Sequence, residues 1–261
     1  MEAFVPDLYC ILFLSVVIFI ACFIDSIAGG GGLLTIPAYL FAGLPAQYAL
    51  GTNKLVMSAG TSVAAFNYIR NKKVIWKVVF SGLFFAVIGS ILGTKAILLF
   101  DHAAATKIIT ILLPVGLVAV LIPKKKRKTH VEEELITRSD LYFKAPLICL
   151  ITGFYDGFFG PGTGAFLAIG FYVFMDMDLL KATGNAKIFN LASNVGSMVT
   201  FIIAGKIVYS IVLPLVSASM LGNYAGSHFA IKKGTGFIKL FLVLIIILVF
   251  ISMFAKHFTS S

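Results

Sequence analysis

The chain has 261 residues, 59% of them hydrophobic and only 12% charged, with a mean hydropathy of +1.01. This composition excludes a water-soluble globular domain and indicates a helical protein that crosses a membrane several times. The net charge of +10 would suggest nucleic acid in a soluble chain. Here the basic residues sit in short loops between apolar runs, with no solvent-facing basic domain.

Met1 to Asp7 carries two acids and no base, so no cleavable signal peptide is expected there. Leu8 to Ala28 is apolar and long enough to span. Four glycines follow, Gly29, Gly30, Gly31 and Gly32. Glycine gives up the most backbone entropy on ordering, and irregular backbone survives at membrane depth only where it is buried in protein or lines a cavity. The stretch from Asp25 to Pro37 therefore reads as a helix broken to line a solute site. Leu33 to Leu44 is a short apolar piece, rising about 18 Å as a helix, well short of the bilayer core. Ala46 to Ile69 is helical and polar for a span, carrying Gln47, Thr52, Asn53, Lys54, Ser58, Thr61, Ser62 and Asn67. After the basic turn Arg70 to Lys73, Val78 to Leu99 and Ala105 to Ile122 are plain spans, and Gly82, Gly89 and Gly93 suit close helix packing. Pro123 to Lys144 is a polar loop with the basic run Lys124 to Lys128, expected in the cytoplasm.

The second half repeats this order: Ala145 to Tyr155, a break from Asp156 to Gly164, Ala165 to Met175, Leu179 to Ala204, Ile207 to Ala230 and Phe237 to Ala255. One offset carries Asp25 onto Asp156, Gly29 onto Gly160 and Gly31 onto Gly162; an offset two residues longer carries Gly51 onto Gly184 and Lys54 onto Lys187. Matching Gly-interrupted segments in two halves point to a transporter's binding site. Equivalent loops differ in charge bias, which implies inverted halves, with loops 70–77, 123–144 and 231–239 cytoplasmic and both termini external. The expected architecture is an all-α integral membrane protein of about eight transmembrane helices plus short broken or re-entrant segments. Its parts are a first repeat 1–122, a basic loop 123–142 and a second repeat 143–261.

Half-helix N-termini at the two breaks would aim N–H groups into a cavity and favour an anion. Gly160, Pro161, Gly162, Thr163 and Gly164 form the second break, and Thr35 and Thr163 add hydroxyls. Lys54 and Lys187 are costly in a membrane interior. They either serve an anionic solute, or snorkel, or pair structurally with Asp25 or Asp156. Asn190 and Asn194 share one helix face, with Ser58 and Thr61 on the corresponding face of the first half. They are oxyanion ligands or interhelical glue. Asp25 and Asp156 are proton-coupling candidates, and could equally cap the breaks or pair with the lysines. Cys10, Cys22 and Cys149 read as packing residues without metal-ligand spacing. No protease or nucleotide-binding motif is present, so neither an enzyme nor a cofactor or metal is expected.

At these residues the sequence resembles the TauE/SafE family of membrane transporters, the sulfite exporter family, and within it the YfcA-like branch. The resemblance rests on Ala28 to Pro37, Ala49 to Lys54, Gly153 to Gly164 and Ala182 to Lys187 with Asn190. It implies a multi-pass permease of the bacterial inner membrane, coupled to an ion gradient and moving sulfur-containing or carboxylated anions. It also implies that Gly29–Pro37, Asn53, Lys54, Asp156, Gly160–Gly164, Lys187 and Asn190 carry the family motifs. The expected partners are a small anionic solute and the lipid bilayer; a homo-oligomer is compatible with the sequence. A passive anion channel and a non-transporting membrane scaffold are the alternatives.

Overall fold

The computed structural model describes residues 6–101, 103–109, 111–112 and 136–234, and among these it is helical with no strand. The helices are α1 (Leu8–Ala28), α2 (Gly32–Phe41), α3 (Ala46–Arg70), α4 (Trp76–Leu98), α5 (Ala145–Phe158), α6 (Thr163–Phe174), α7 (Leu179–Ile203) and α8 (Val212–Lys233). A π turn, Asp140–Lys144, leads into α5, and a 3-10 turn, Tyr209–Ile211, leads into α8. The expected basic run 124–128 and the last expected span lie outside the described residues, as does most of 105–122. Among the described residues, three helices are long and apolar enough to cross a membrane: α1, α4 and α7.

Punctuation in the sequence sets the boundaries. Asp7 caps α1 by accepting from the Cys10 amide at 2.7 Å, and Asp178 caps α7 through the amides of Leu180 and Lys181. α1 stops at Gly29, whose φ of 76° lies in the region that side-chain-bearing residues avoid. Pro37 lies within α2, removing one intrahelical hydrogen bond from a helix of only 10 residues.

Residue distribution is inside-out relative to a soluble protein. Phe80, Phe84 and Leu99 near or on α4, and Leu8, Tyr9 and Val16 on α1, face outward. Thr52, Asn53, Lys54, Asn185, Lys187, Asn190, Asn194 and Asn223 are buried. An apolar exterior around a polar interior is the arrangement that a bilayer stabilises.

Close contacts fix the helix directions. Gly222 and Gly226 of α8 meet Phe19 and Phe23 of α1, so these two helices run parallel, and Gly89 and Gly93 of α4 meet Phe154 and Phe158 of α5 in the same sense. α3 runs parallel to α8, because Gly60 meets Ser219 and Asn67 bonds Ser227. α1 and α3 therefore start at one end of the bundle, and α2 must return the chain to that end; α6 does the same between α5 and α7. α3 and α7 are antiparallel. Gly51 near the start of α3 abuts the Lys206 carbonyl beyond the end of α7, and Gly184 near the start of α7 abuts the Lys73 carbonyl beyond the end of α3. The hydrogen bonds are reciprocal too: Val208 N–H donates to Thr52 Oγ1 at 3.0 Å, and Ile75 N–H to Asn185 Oδ1 at 3.2 Å. One end of the bundle thereby gathers Arg70, Lys72, Lys73, Lys144, Lys181, Lys232 and Lys233, while Lys95 and Lys206 lie at the other.

Candidate functional site

The two breaks touch. A Cβ on Gly29 would collide with the amide of Ala165, and one on Gly32 would come within 2.8 Å of Pro161 Cα. Glycine is thus required at Gly29 twice over, for its backbone angle and for the approach of the other break. Around this contact lies a narrow, partly open pocket with a cavity volume of about 20 Å³, on the scale of one water molecule. It is lined by Asp25, Gly32, Asn53, Lys54, Met57, Asp156, Gly160, Gly162, Thr163, Gly164, Asn190 and Asn194.

Two buried ion pairs cross between the halves. Lys54 Nζ lies 2.8 Å from Asp156 Oδ1, and Lys187 Nζ lies 2.8 Å from Asp25 Oδ2; all four side chains are at most 4% exposed. Four charges out of water would each be strongly penalised alone, and pairing removes the greater part of that penalty. Lys187 also donates to the Asp25 backbone carbonyl, at the negative end of α1. Asp25 Oδ1 accepts from the amides of Gly30 and Gly31, both at 3.0 Å, at the positive end of α2.

The amides of the pocket are oriented by what their oxygens accept. Asn53 Oδ1 accepts from Thr35 Oγ1 at 2.8 Å. Asn194 Oδ1 accepts from Lys54 Nζ at 3.1 Å, and its Nδ2 donates to Asn190 Oδ1 at 3.2 Å. The oxygens of Asn53 and Asn190 are therefore engaged, and what these side chains have left for the pocket is NH₂. Gly164 packs beside them: a Cβ there would lie 3.4 Å from both Asn190 Nδ2 and Lys187 Nζ and 3.1 Å from Gly29 Cα.

Of the residues singled out from sequence, Asp25, Gly32, Asn53, Lys54, Asp156, Gly160, Gly162, Thr163, Gly164, Asn190 and Asn194 line the pocket together. Gly29, Pro161, Thr35 and Lys187 stand one step behind it. The amides of Gly30 and Gly31 do not face a solute as expected, because the Asp25 carboxylate occupies them. Ser58 is not a pocket ligand either: its hydroxyl donates back to the Lys54 carbonyl at 2.7 Å, one helical turn earlier. Thr61 Oγ1 is buried with no hydrogen-bond partner, and Asn185 serves the Ile75 amide. Two contributors were not foreseen, Met57 in the lining and Ser193, whose hydroxyl donates to Asp156 Oδ2 at 2.6 Å. Ser193 had a readable signal, since it lies on the Asn190–Asn194 face. The cysteines are free, with Cys22 and Cys149 buried, and the described residues hold no cluster suited to a metal ion.

Known proteins are similar to this chain over most of its length. The family model Sulfite exporter TauE/SafE matches residues 14–253. A "Probable membrane transporter protein" of Haemophilus influenzae is 36% identical over 239 residues, covering 91% of each chain. The "Probable membrane transporter protein ORF9" of a Sinorhizobium species is 37% identical over 244 residues, covering 93% of this chain and 92% of that one. The "Probable membrane transporter protein YfcA" of Escherichia coli K12 is 35% identical over 241 residues, covering 90% and 87%. No solved structure matches. These names indicate a membrane transporter rather than an enzyme, and with the family model matching nearly the whole length, the chain belongs to the TauE/SafE sulfite exporter family.

Proposed function

We propose that this protein is a secondary transporter that carries a small anion through the pocket between its two helix breaks, driven by an ion gradient. One observation carries the reading: the pocket joins a buried lysine to two asparagines whose oxygens are already engaged, so it offers donors to an acceptor-rich solute. Sulfur oxyanions, sulfonates and carboxylates have that chemistry, and the family description names sulfite. The backbone contact between the breaks favours an occluding carrier over an open pore.

The transport reading includes inverted halves. A two-fold axis that exchanges two antiparallel spans lies in the membrane plane, and the reciprocal contacts of α3 and α7 support that relation. The end rich in lysine and arginine would then face the cytoplasm of a bacterial cell, by the positive-inside bias.

The test is thermal stability of the purified full chain with sulfite, methanesulfonate, thiosulfate and acetate, followed by flux in proteoliposomes. A ligand at about 100 times its Kd stabilises by about 2.7 kcal/mol, so at least one anion should raise the melting temperature. Flux of that anion should saturate and follow an imposed proton or sodium gradient. Currents linear in voltage would identify a channel, and no stabilisation by any anion would favour a scaffold. If Lys54→Ala transports like wild type, the pocket is not the site.

A further inference from the structure

The two ion pairs occupy corresponding places but are built from different parts. Around Asp25 every partner can only donate: Gly30 N–H, Gly31 N–H and Lys187 Nζ. A proton added to this carboxyl would meet donors at both oxygens. Around Asp156 the partners are Lys54 on Oδ1 and the Ser193 hydroxyl on Oδ2. A hydroxyl can reverse its role. Ser193 Oγ also lies 3.1 Å from the Asn190 carbonyl, so it can donate there and accept from a protonated Asp156. The difference is written in the sequence and does not depend on conformation. The residue corresponding to Gly30 is Pro161, which has no N–H, and the residue corresponding to Ser193 is Gly60, which has no hydroxyl.

We infer that Lys54–Asp156 is the pair that opens for the anion, that Asp156 takes up one proton as it opens, and that Lys187–Asp25 stays closed as scaffold. This rests on the transport reading above. The charges balance. Two lysines and two carboxylates sum to zero; after the exchange a neutral Asp156 and one bound monoanion leave the sum at zero. The ion pair Lys54–Asp156 breaks, Lys54 Nζ donates to the anion, and the new O–H of Asp156 donates to Ser193. The charged groups around Asp156 are Lys54 from α3 and, across the pocket, Asp25 from α1 with Lys187 from α7. α4 faces this part of α5 with the hydroxyl of Thr94, which donates to the Gly157 carbonyl, and α6 brings Thr163 to the pocket. The Tyr155 hydroxyl is turned away, donating to the Pro161 carbonyl at 2.7 Å.

The experiment measures the Kd of methanesulfonate and ethanesulfonate, monoanions whose charge is constant near neutrality, for the purified full chain across pH. It is paired with proton uptake on mixing in weak buffer. Wild type should take up one proton per anion, and its affinity should weaken as pH rises, approaching about tenfold per pH unit. Asp156→Asn should bind with the affinity wild type shows at low pH, independent of pH. In proteoliposomes it should exchange anions without concentrating them against a proton gradient. Asp25→Asn should lower the melting temperature, because it leaves Lys187 without its counter-charge. Should Asp156→Asn fail to fold, proton uptake by wild type decides, together with Ser193→Ala, which should shift the pH profile. Absent proton uptake, or a slope kept in Asp156→Asn, would overturn the inference alone. No binding of either anion to wild type would overturn the transport reading with it.

Discussion

Single residues in this protein are held by backbone geometry, by space, or by both, and the glycines separate these causes. Gly43 and Gly29 have φ of 88° and 76°. A Cβ at Gly43 would meet nothing within 4 Å, whereas one at Gly29 would strike the opposite break. Gly43→Ala should therefore show the backbone effect alone, a loss of about 1–2 kcal/mol. Gly29→Ala should be far more damaging, either failing to fold or losing the pocket; melting temperatures in detergent compare the two. Among the described residues, two that bear side chains also adopt positive φ, Lys72 and Asp176. Their counterparts in the other half are Gly205 and Gly43, both positive as well, so the same turns are kept with and without glycine.

At the level of elements, the paired hydrogen bonds between α3 and the turn after α7, and between α7 and the turn after α3, act as two separate clasps. Thr52→Val strips the Val208 amide of its partner, and Asn185→Ala strips that of Ile75. Each should cost about 1–3 kcal/mol, because a buried donor is left unsatisfied. The clasps lie at opposite ends of the antiparallel pair, so the double variant should lose the sum within about 0.5 kcal/mol. Denaturation of the four proteins tests this, and strong coupling would show that the clasps open together. Most of this architecture was legible beforehand, since α1, α2, α3, α4, α6 and α7 begin and end within about three residues of expectation. Gly, Pro and Asp marked those ends. The last described helix was not so legible: the apolar run from Ile207 hides a 3-10 turn before α8. Periodicity could not tell whether Ser58 faced a cavity or bonded back to its own helix, because both uses share one spacing. It also could not say which aspartate each lysine meets, since that depends on how the two halves cross.

For the molecule as a whole, the gathering of Arg70, Lys72, Lys73, Lys144, Lys181, Lys232 and Lys233 at one end makes orientation testable. In a chain with Cys10, the one native cysteine that is not buried, replaced by Ser, Lys72→Cys and Lys232→Cys should label from the cytoplasmic side and Lys206→Cys from the other. Labelling of Lys72→Cys and Lys232→Cys from opposite sides would break the proposed topology. The crossed ion pairs have a further bearing on how the protein is made. Asp25 and its partner Lys187 are separated by 162 residues of chain. At about 5–20 residues per second of synthesis, the ribosome delivers the lysine roughly 8–30 s after the aspartate. Until the second half is made, Asp25 and Lys54 lack the partners they hold in the folded protein. Each half supplies the counter-charges of the other, so the first half completes its ion pairs only once the second is made.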